Sequence, residues 1–420
     1  MSDFRYDVAV VGTGVAGLCA AVRLAEGGAS VCVLAHGYGS THLAPGVVDV
    51  LGYTPERVEE PARALPAFVE SHPDHPYALL GVDAIGPALE WFSEHIAGAP
   101  QPGYSYVGGL ERNVLLPTAV GVARPSALVP ETMARGALDG GAPLCIVGVP
   151  RLRDLHASLC AANLTRLGFE ARSVELDIGE GRTEINALGL ARQLDDPSYR
   201  NAVAGRLGPL LRDGERVGVP AILGLRDPHG VWSDLEERLG HELFEIPTLP
   251  PSAPGIRVYD ALTAALRAAQ GRLVLGAKVV GSERDGARVT TLQTHAGGRD
   301  MVYEAERVVL ASGGFASGGL ELDSDWQTHE RALGLPLRGL PGPGEPRFRP
   351  DYFGQQPMAK VGIAVDSEQR AEGTENVLVA GAALPGAEPW REGSGEGIAI
   401  TSGHRAAGLV LTEAGQAAAA

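Results

Sequence analysis

The chain has 420 residues and a formal net charge of -16, an acidity that excludes a partner such as nucleic acid, which needs a basic stripe to meet its phosphates. At about 150 residues per domain the length suggests two or three folding units. A composition of 45% hydrophobic and 20% charged residues is that of a protein with buried cores. The four cysteines, Cys19, Cys32, Cys145 and Cys160, are scattered among apolar neighbours without ligand spacing. They predict reduced, packed thiols, and no metal or iron–sulfur site held by this chain.

The first elements carry the clearest message. Tyr6 to Val11 reads as a buried strand, followed by Gly12-Thr13-Gly14-Val15-Ala16-Gly17, a helical run from Leu18 to Ala25, and a second strand from Val31 to Leu34. Strand, GxGxxG, helix and strand within about 30 residues is the context in which the motif marks a nucleotide site. Gly12 permits the tight turn, Gly14 lets a phosphate approach the backbone, and Gly17 lets helix and strand pack closely. The free N–H groups at the helix start then face the anion. The nearly uncharged stretch Val8 to Val22 is too short to span a bilayer and follows Asp3 and Asp7, so no membrane segment is expected.

The second strand departs from the usual pattern. It ends Val33-Leu34-Ala35-His36, without the acid that bonds the adenosine ribose. Either the ribose is held differently, with His36 beside it, or no adenosine half is present. The second alternative favours FMN over FAD.

Residues 55 to 250 are expected to form an inserted α/β cap that meets substrate or partner. Leu144 to Val149, Asp154 to Leu167 and Ala171 to Leu176 repeat a strand–helix–strand unit, but its turn, Gly148-Val149-Pro150, lacks the fingerprint. Val217 to Leu223, Val231 to Leu239 and Leu243 to Ile246 continue the rhythm, and Pro247 to Pro254 reads as the return linker. The nucleotide domain is thus discontinuous, residues 1–54 and 251–420: a Rossmann-like α/β domain with a parallel sheet and a β-meander.

Its later parts follow in order. A helix is expected from Ile256 to Gln270, then short strands near Val279, Arg288 to Thr291 and Met301 to Tyr303, separated by Asp285-Gly286 and Gly297-Gly298. Arg307 to Leu310 runs into Ala311-Ser312-Gly313, and Asn376 to Ala380 into Gly381. The loop through Gly395 and Gly397 opens a helix at about Ile398, whose N–H groups can face a flavin ring. The expected cofactor contacts are Gly12, Gly14, Gly17, His36, Gly46, Ala311, Ser312, Gly313, Gly381, Gly395, Gly397 and Ile398.

Taken together, the residues resemble the B subunit of the anaerobic glycerol-3-phosphate dehydrogenase family over essentially the whole chain. The most specific stretch is Pro247-Thr248-Leu249-Pro250-Pro251-Ser252 followed by Gly255-Ile256-Arg257; His75-Pro76-Tyr77, Leu310-Ala311-Ser312-Gly313 and Ser317-Gly318-Gly319-Leu320 support it, and His42, Gly46 and Asp49 match in spacing. The resemblance implies oxidation of glycerol 3-phosphate to dihydroxyacetone phosphate, with electrons passed to a quinone for fumarate or nitrate respiration. It implies FMN in this chain, with FAD as the alternative. It also implies two partners in the same complex, a sister flavoprotein (the A subunit) and an iron–sulfur protein that reaches the membrane (the C subunit). This chain would then be cytoplasmic and membrane-associated only through the complex.

Oxidising a secondary alcohol on a flavin needs a base for the hydroxyl proton, and a phosphate substrate suits an arginine fork. His42 and His75 are the candidate bases, Arg257 and Arg391 the candidate anion contacts. Glu396 could act on a substrate or accept a bond at the helix start, and the second reading is preferred. Two other functions compete: a self-sufficient FAD oxidoreductase of the fumarate reductase or succinate dehydrogenase kind, and a non-catalytic assembly protein with a vestigial nucleotide site.

Overall fold

The computed structural model describes residues 4–98, 100–178 and 184–419. Its first strand, β1 (Arg5–Val11), is buried from Val8 onward, as a strand covered on both faces must be. Helix α1 (Val15–Glu26) follows the glycine turn, and β2 (Val31–Ala35) is buried throughout. β1 pairs in parallel with β2, Val8 opposite Val31 and Val11 opposite Leu34. On its other side it pairs in parallel with the long strand Arg299–Leu310.

That long strand serves two purposes. Its first half pairs antiparallel with Arg288–Ala296, which pairs with Lys278–Asp285, giving the expected meander. Its last residues pair in parallel with Val377–Val379 instead. With Arg272–Leu275 beside β2, seven strands make one sheet. Across its parallel part the order is Arg272–Leu275, β2, β1, the long strand, Val377–Val379. The carboxyl ends of these strands share one edge, where open α/β sheets bind ligands.

One face of the sheet packs on α1 and on the C-terminal helix Gly395–Ala419, which starts close to the expected Ile398. The two helices cross tightly: a Cβ on Gly403 would lie 2.2 Å from the Ala16 carbonyl oxygen. The same core takes in Leu65, Phe68, Tyr77, Ile85, Phe92 and Ile96. The helices Pro61–Ser71, Pro76–Leu80 and Ile85–Ala97 thus bury their apolar sides against the nucleotide domain, and the boundary expected at residue 55 marks no change of core.

A second sheet lies inside the inserted region. Its four strands, in the order Leu243–Ile246, Arg216–Pro220, Leu144–Gly148, Ala171–Glu175, are all parallel and have a core of their own. The return segment holds a cis peptide between Pro250 and Pro251. Ser252 then caps the helix Ala253–Ala268, its Oγ accepting from the Gly255 N–H at 3.1 Å.

Candidate active site: a flavin cleft across the sheet edge

The glycine turn is shaped by contacts that admit no side chain. Gly12 has φ +111°, and a Cβ there would sit 2.3 Å from the Ala311 carbonyl oxygen. A Cβ on Gly17 would lie 2.2 Å from the Gly12 carbonyl oxygen. Gly14 differs: nothing lies within 4 Å of where its Cβ would be. Gly12 and Gly17 are thus demanded by the protein's own packing, whereas Gly14 borders open space.

That space is a cleft of about 740 Å³ along the carboxyl edge of the sheet. Leu34 to Tyr38, with Lys278 and Val279, line it beyond β2. Gly12 to Ala16, Ser312 and Gly313 line it over β1 and the long strand. Gly381, Ala382, Pro389, Gly395, Glu396 and Ala399 line it beyond Val377–Val379. The loops are tied down locally. Thr13 Oγ1 donates to the Gly37 carbonyl at 2.6 Å, and the Gly381 N–H donates to Ser402 Oγ at 2.8 Å. Two buried cleft hydroxyls, Ser312 Oγ and Thr41 Oγ1, have no partner among the described residues. Buried polar groups are satisfied as a rule, so these two fit hydroxyls that a polar ligand completes. Another hollow of about 790 Å³, beside Ala25, Glu26 and His95, lies at the opposite end of α1 and shares nothing with the glycine turn.

At the end near the C-terminal helix, a polar cluster adjoins the cleft. The loop after β2 is laced to the loop before that helix: Gly397 N–H donates to the Asp49 carbonyl at 2.9 Å, and Gly52 N–H to the Glu392 carbonyl at 2.7 Å. Tyr77 Oη donates to the carbonyls of Val50 at 2.9 Å and Ser394 at 3.3 Å. This lacing brings Glu396 to Asp49. The buried Asp49 carboxylate accepts from Ser126 Oγ at 2.6 Å and from Arg124, which is half-exposed. Burial pushes the Glu396 carboxyl up to about 7, the Asp49 charge adds to this, and Arg124 opposes it. A cleft-lining carboxyl that changes charge near neutrality suits proton transfer.

The sequence candidates divide clearly. Gly12, Gly14, His36, Ala311, Ser312, Gly313, Gly381 and Gly395 line the cleft. Gly17, Gly46, Gly397 and Ile398 stand behind it. Gly46, with φ +85°, packs against Pro254, and a Cβ on Gly397 would meet Tyr77 Oη at 2.3 Å. His42 is packed beside the cleft, stacked 4.6 Å from the Tyr38 ring and edge-on to Tyr259, and burial holds its imidazole below the usual histidine range.

His75 is buried at the start of a helix. Its Nδ1 accepts from the Tyr77 N–H at 3.1 Å, which leaves Nε2 to donate to Glu392 Oε2 at 3.1 Å. Burial raises the Glu392 carboxyl, but its bonds to His75, the Glu388 N–H and Ser394 outweigh burial and hold it below the usual range. His75 therefore anchors the loop that delivers Glu396. Arg257 is 0% exposed and engages both oxygens of Glu245, at 2.7 and 2.9 Å, and the Gly224 carbonyl. That guanidinium is committed within the protein and is not among the residues that line the cleft. Arg391 is exposed and donates to the Phe353 carbonyl. The cationic side chains that do line the cleft are Lys278 and Arg331, the latter paired with Glu321 at 2.8 Å. Sequence reasoning passes over Arg331, Arg124 and Ser126, and for Glu396 prefers a helix-start acceptor to a role on substrate.

Sheet order, glycine turn and cleft define a nucleotide-binding flavoprotein of the Rossmann type. Residues 7–398 match the FAD binding domain family. The B subunit of a probable anaerobic glycerol-3-phosphate dehydrogenase from Halobacterium salinarum is 33% identical, over 97% of this chain and 98% of its own length. The B subunit of the anaerobic glycerol-3-phosphate dehydrogenase from Pectobacterium atrosepticum is 32% identical, over 97% and 99%. A Mycobacterium smegmatis Sdh1 structure in complex with UQ1 aligns with 98% of this chain and 69% of that one, at 11% identity and a TM-score of 0.47, a likeness too loose to add to the argument. The chain belongs to the FAD binding domain family and, within it, to the family of anaerobic glycerol-3-phosphate dehydrogenase B subunits. It is a flavoprotein oxidoreductase. Among the described residues no helix is long and apolar enough to cross a membrane, and no cluster of side chains could hold a metal.

Proposed function

We propose that this chain is the FAD-bearing member of a complex that oxidises sn-glycerol 3-phosphate to dihydroxyacetone phosphate and passes the electrons on to membrane quinone. The extent of the cleft carries the cofactor reading. A phosphate at the glycine turn leaves room on both sides: past β2, where an adenosine ribose lies in this fold, and past Val377–Val379 toward Glu396. FMN would need only one of these directions. On this reading FAD replaces the FMN that the acid-free strand end suggested. His36, next to Ala35, and the unpartnered cleft hydroxyls Thr41 Oγ1 and Ser312 Oγ are the groups offered to the ribose and phosphates in place of the missing acid.

Bound flavin supplies a hydride acceptor. The protein's task is to position the alcohol and take its proton. Glu396, as the carboxylate, accepts the hydroxyl proton while the carbon gives up its hydride. Arg124 and Ser126 donate to the Asp49 carboxylate beside it, and burial together with that neighbouring carboxylate sets the Glu396 carboxyl near neutrality. Arg331 supplies the anion contact that Arg257 and Arg391 were expected to provide. A protein of this kind reaches the inner face of the membrane through its sister subunits, namely a second flavoprotein and an iron–sulfur protein.

The test is anaerobic addition of glycerol 3-phosphate to the isolated complex. The flavin of this chain should bleach with stoichiometric dihydroxyacetone phosphate, and a Glu396→Gln complex should bleach at least tenfold more slowly. Bleaching at the wild-type rate in that variant would remove Glu396 from the reaction.

A further inference from the structure

Aromatic side chains are scarce here, 22 among 420 residues, and most are at least partly buried. Among the described residues six are well exposed: Tyr38, Trp326, Phe348, Tyr352, Phe353 and Trp390. Five of these six belong to residues 326–353 and to the helix Pro389–Glu392. Tyr352, Phe353 and Trp390 are 83%, 85% and 67% exposed, values that a free surface does not ordinarily tolerate for such large apolar groups. They are ordered among themselves. Tyr352 and Phe353 pack edge to face at 5.2 Å, and Trp326 and Phe348 at 6.1 Å. Arg391, next to Trp390, donates to the Phe353 carbonyl and so fastens the segment to the helix.

Position gives the cluster its meaning. Pro389, the residue before Trp390, lines the flavin cleft at its Glu396 end. The aromatic surface therefore borders the Glu396 end of the cleft, where the proposed reaction takes place. Charge adds a second constraint. In a chain of net charge -16, Arg347, Arg349 and Arg391 flank Phe348, Phe353 and Trp390 and form no ion pair with a carboxylate among the described residues. The acids of that loop are turned to their own backbone, Glu345 accepting from the Gly342 N–H at 2.9 Å and Asp351 from the Phe353 N–H at 3.2 Å, while beside Trp390 Glu388 is buried and Glu392 is bonded to His75 and Ser394. Aromatic residues with arginine are the composition of an interface core, where both groups gain by losing water against a complementary face.

We propose that Phe348, Tyr352, Phe353 and Trp390, with Arg347, Arg349 and Arg391, form the docking surface for a protein partner whose contact face is apolar with an acidic rim, and that this partner exchanges electrons with the chain across the adjoining end of the cleft. The proposal rests on the reading of the chain as one member of a redox complex. Bringing a partner's redox centre to this edge shortens the electron's path, whereas docking on the inserted sheet would lengthen it. The arginines orient the partner before the aromatic groups are buried.

The experiment uses the complex purified from its own cells by a tag on this chain. Amide hydrogen exchange is compared between the intact complex and the chain released from it. Protection of residues 346–354 and 389–392 in the complex is expected. A Phe353→Ser, Trp390→Ser variant should associate at least tenfold more weakly, with unchanged flavin content and thermal midpoint. An Arg347→Glu, Arg349→Glu variant should flatten the salt dependence of association. Protection elsewhere, with these segments exchanging freely in a complex that does contain partner subunits, overturns the proposal alone. Failure of any partner to co-purify overturns the reading as a member of a complex and the proposal with it. Protection in a particle whose mass is that of two copies of this chain, or binding to phosphatidylglycerol vesicles that the double serine variant abolishes, also overturns it by assigning the surface to another occupant.

Discussion

The two larger sheets of the molecule each have a parallel run of strands with helices packed on it, and the carboxyl edges of these runs are finished differently. At the edge of the seven-stranded sheet, backbone turns through Gly12, Gly313 and Gly381 at positive φ, and Ser312 Oγ and Thr41 Oγ1 are left without partners beside an open cleft. At the corresponding edge of the four-stranded sheet the prominent charged groups are paired internally. Glu245 accepts from Arg257, from Thr132 Oγ1 at 2.7 Å and from the Leu223 N–H at 2.8 Å, and Arg257 also closes on the Gly224 carbonyl. The turn after its first strand is Gly148-Val149-Pro150, which runs on through further turns before its helix begins at Ala157. The second edge satisfies itself and serves as structure, while the first leaves polar groups for a ligand to satisfy.

Breaking the second edge should have the largest effect. Arg257→Met leaves Glu245 buried and unpaired, which should destabilise the protein by about 3–5 kcal/mol in denaturant unfolding. Changing both residues to apolar ones of similar volume should recover much of that loss. Flavin affinity of the folded single variant should be close to normal, because neither residue lines the cleft. Gly12→Ala comes next. Its Cβ cannot share space with the Ala311 carbonyl, and φ +111° is strained for alanine, so a loss of about 1–3 kcal/mol with loss of flavin is expected. Stability and binding fall together there because the turn is packed as well as exposed.

Glu396 sharpens the comparison through pH. Its ordinary value of 4.5 is raised to about 7 in the folded chain. Between those pH values the unfolded chain has released the proton that the folded chain still holds, so this group makes stability fall as pH rises, by at most about 1.4 kcal/mol per pH unit. Glu396→Gln should flatten that decline, and the rate of flavin reduction should lose its rise through pH 7. The smallest effect on the fold should come from Gly14→Ala and Ser312→Ala. Gly14 faces open space and Ser312 Oγ has no partner among the described residues, so each should change stability by no more than about 0.5 kcal/mol. Each should nonetheless weaken flavin binding, read by equilibrium titration, by about tenfold, the equivalent of one lost hydrogen bond.

Much of the first edge is legible in the sequence because its information is local. The spacing of Gly12, Gly14 and Gly17 encodes the turn, and Asp285-Gly286 and Gly297-Gly298 encode the two hairpins of the meander at the positions found. The helix expected from Ile256 is present but starts three residues earlier, at Ala253, where Ser252 caps it. What stays hidden depends on which distant surfaces meet. The amphipathic helices between residues 61 and 97 show an apolar side but not its partner, so sequence places them in the insert whereas the structure packs them into the core of α1. Arg257 is legible as a cation at a helix start, but its burial depends on Glu245 across the second sheet. His75 and Glu392 lie far apart in sequence, and so do Asp49 and Glu396. Only the folded chain shows that the first pair anchors a loop and the second perturbs a carboxyl. The missing acid at Ala35 is a true departure from the usual strand end, yet it does not decide the cofactor, because a ribose can be met by other groups along a cleft of that length.

The central claim is that the open edge is shaped for a whole dinucleotide. Heat release of the chromophore from the purified chain, followed by chromatographic identification, tests it most directly. The account predicts FAD, released in about one equivalent per chain, and lost in Gly12→Ala. Recovery of FMN alone, or of no flavin after reconstitution with FAD, would contradict it.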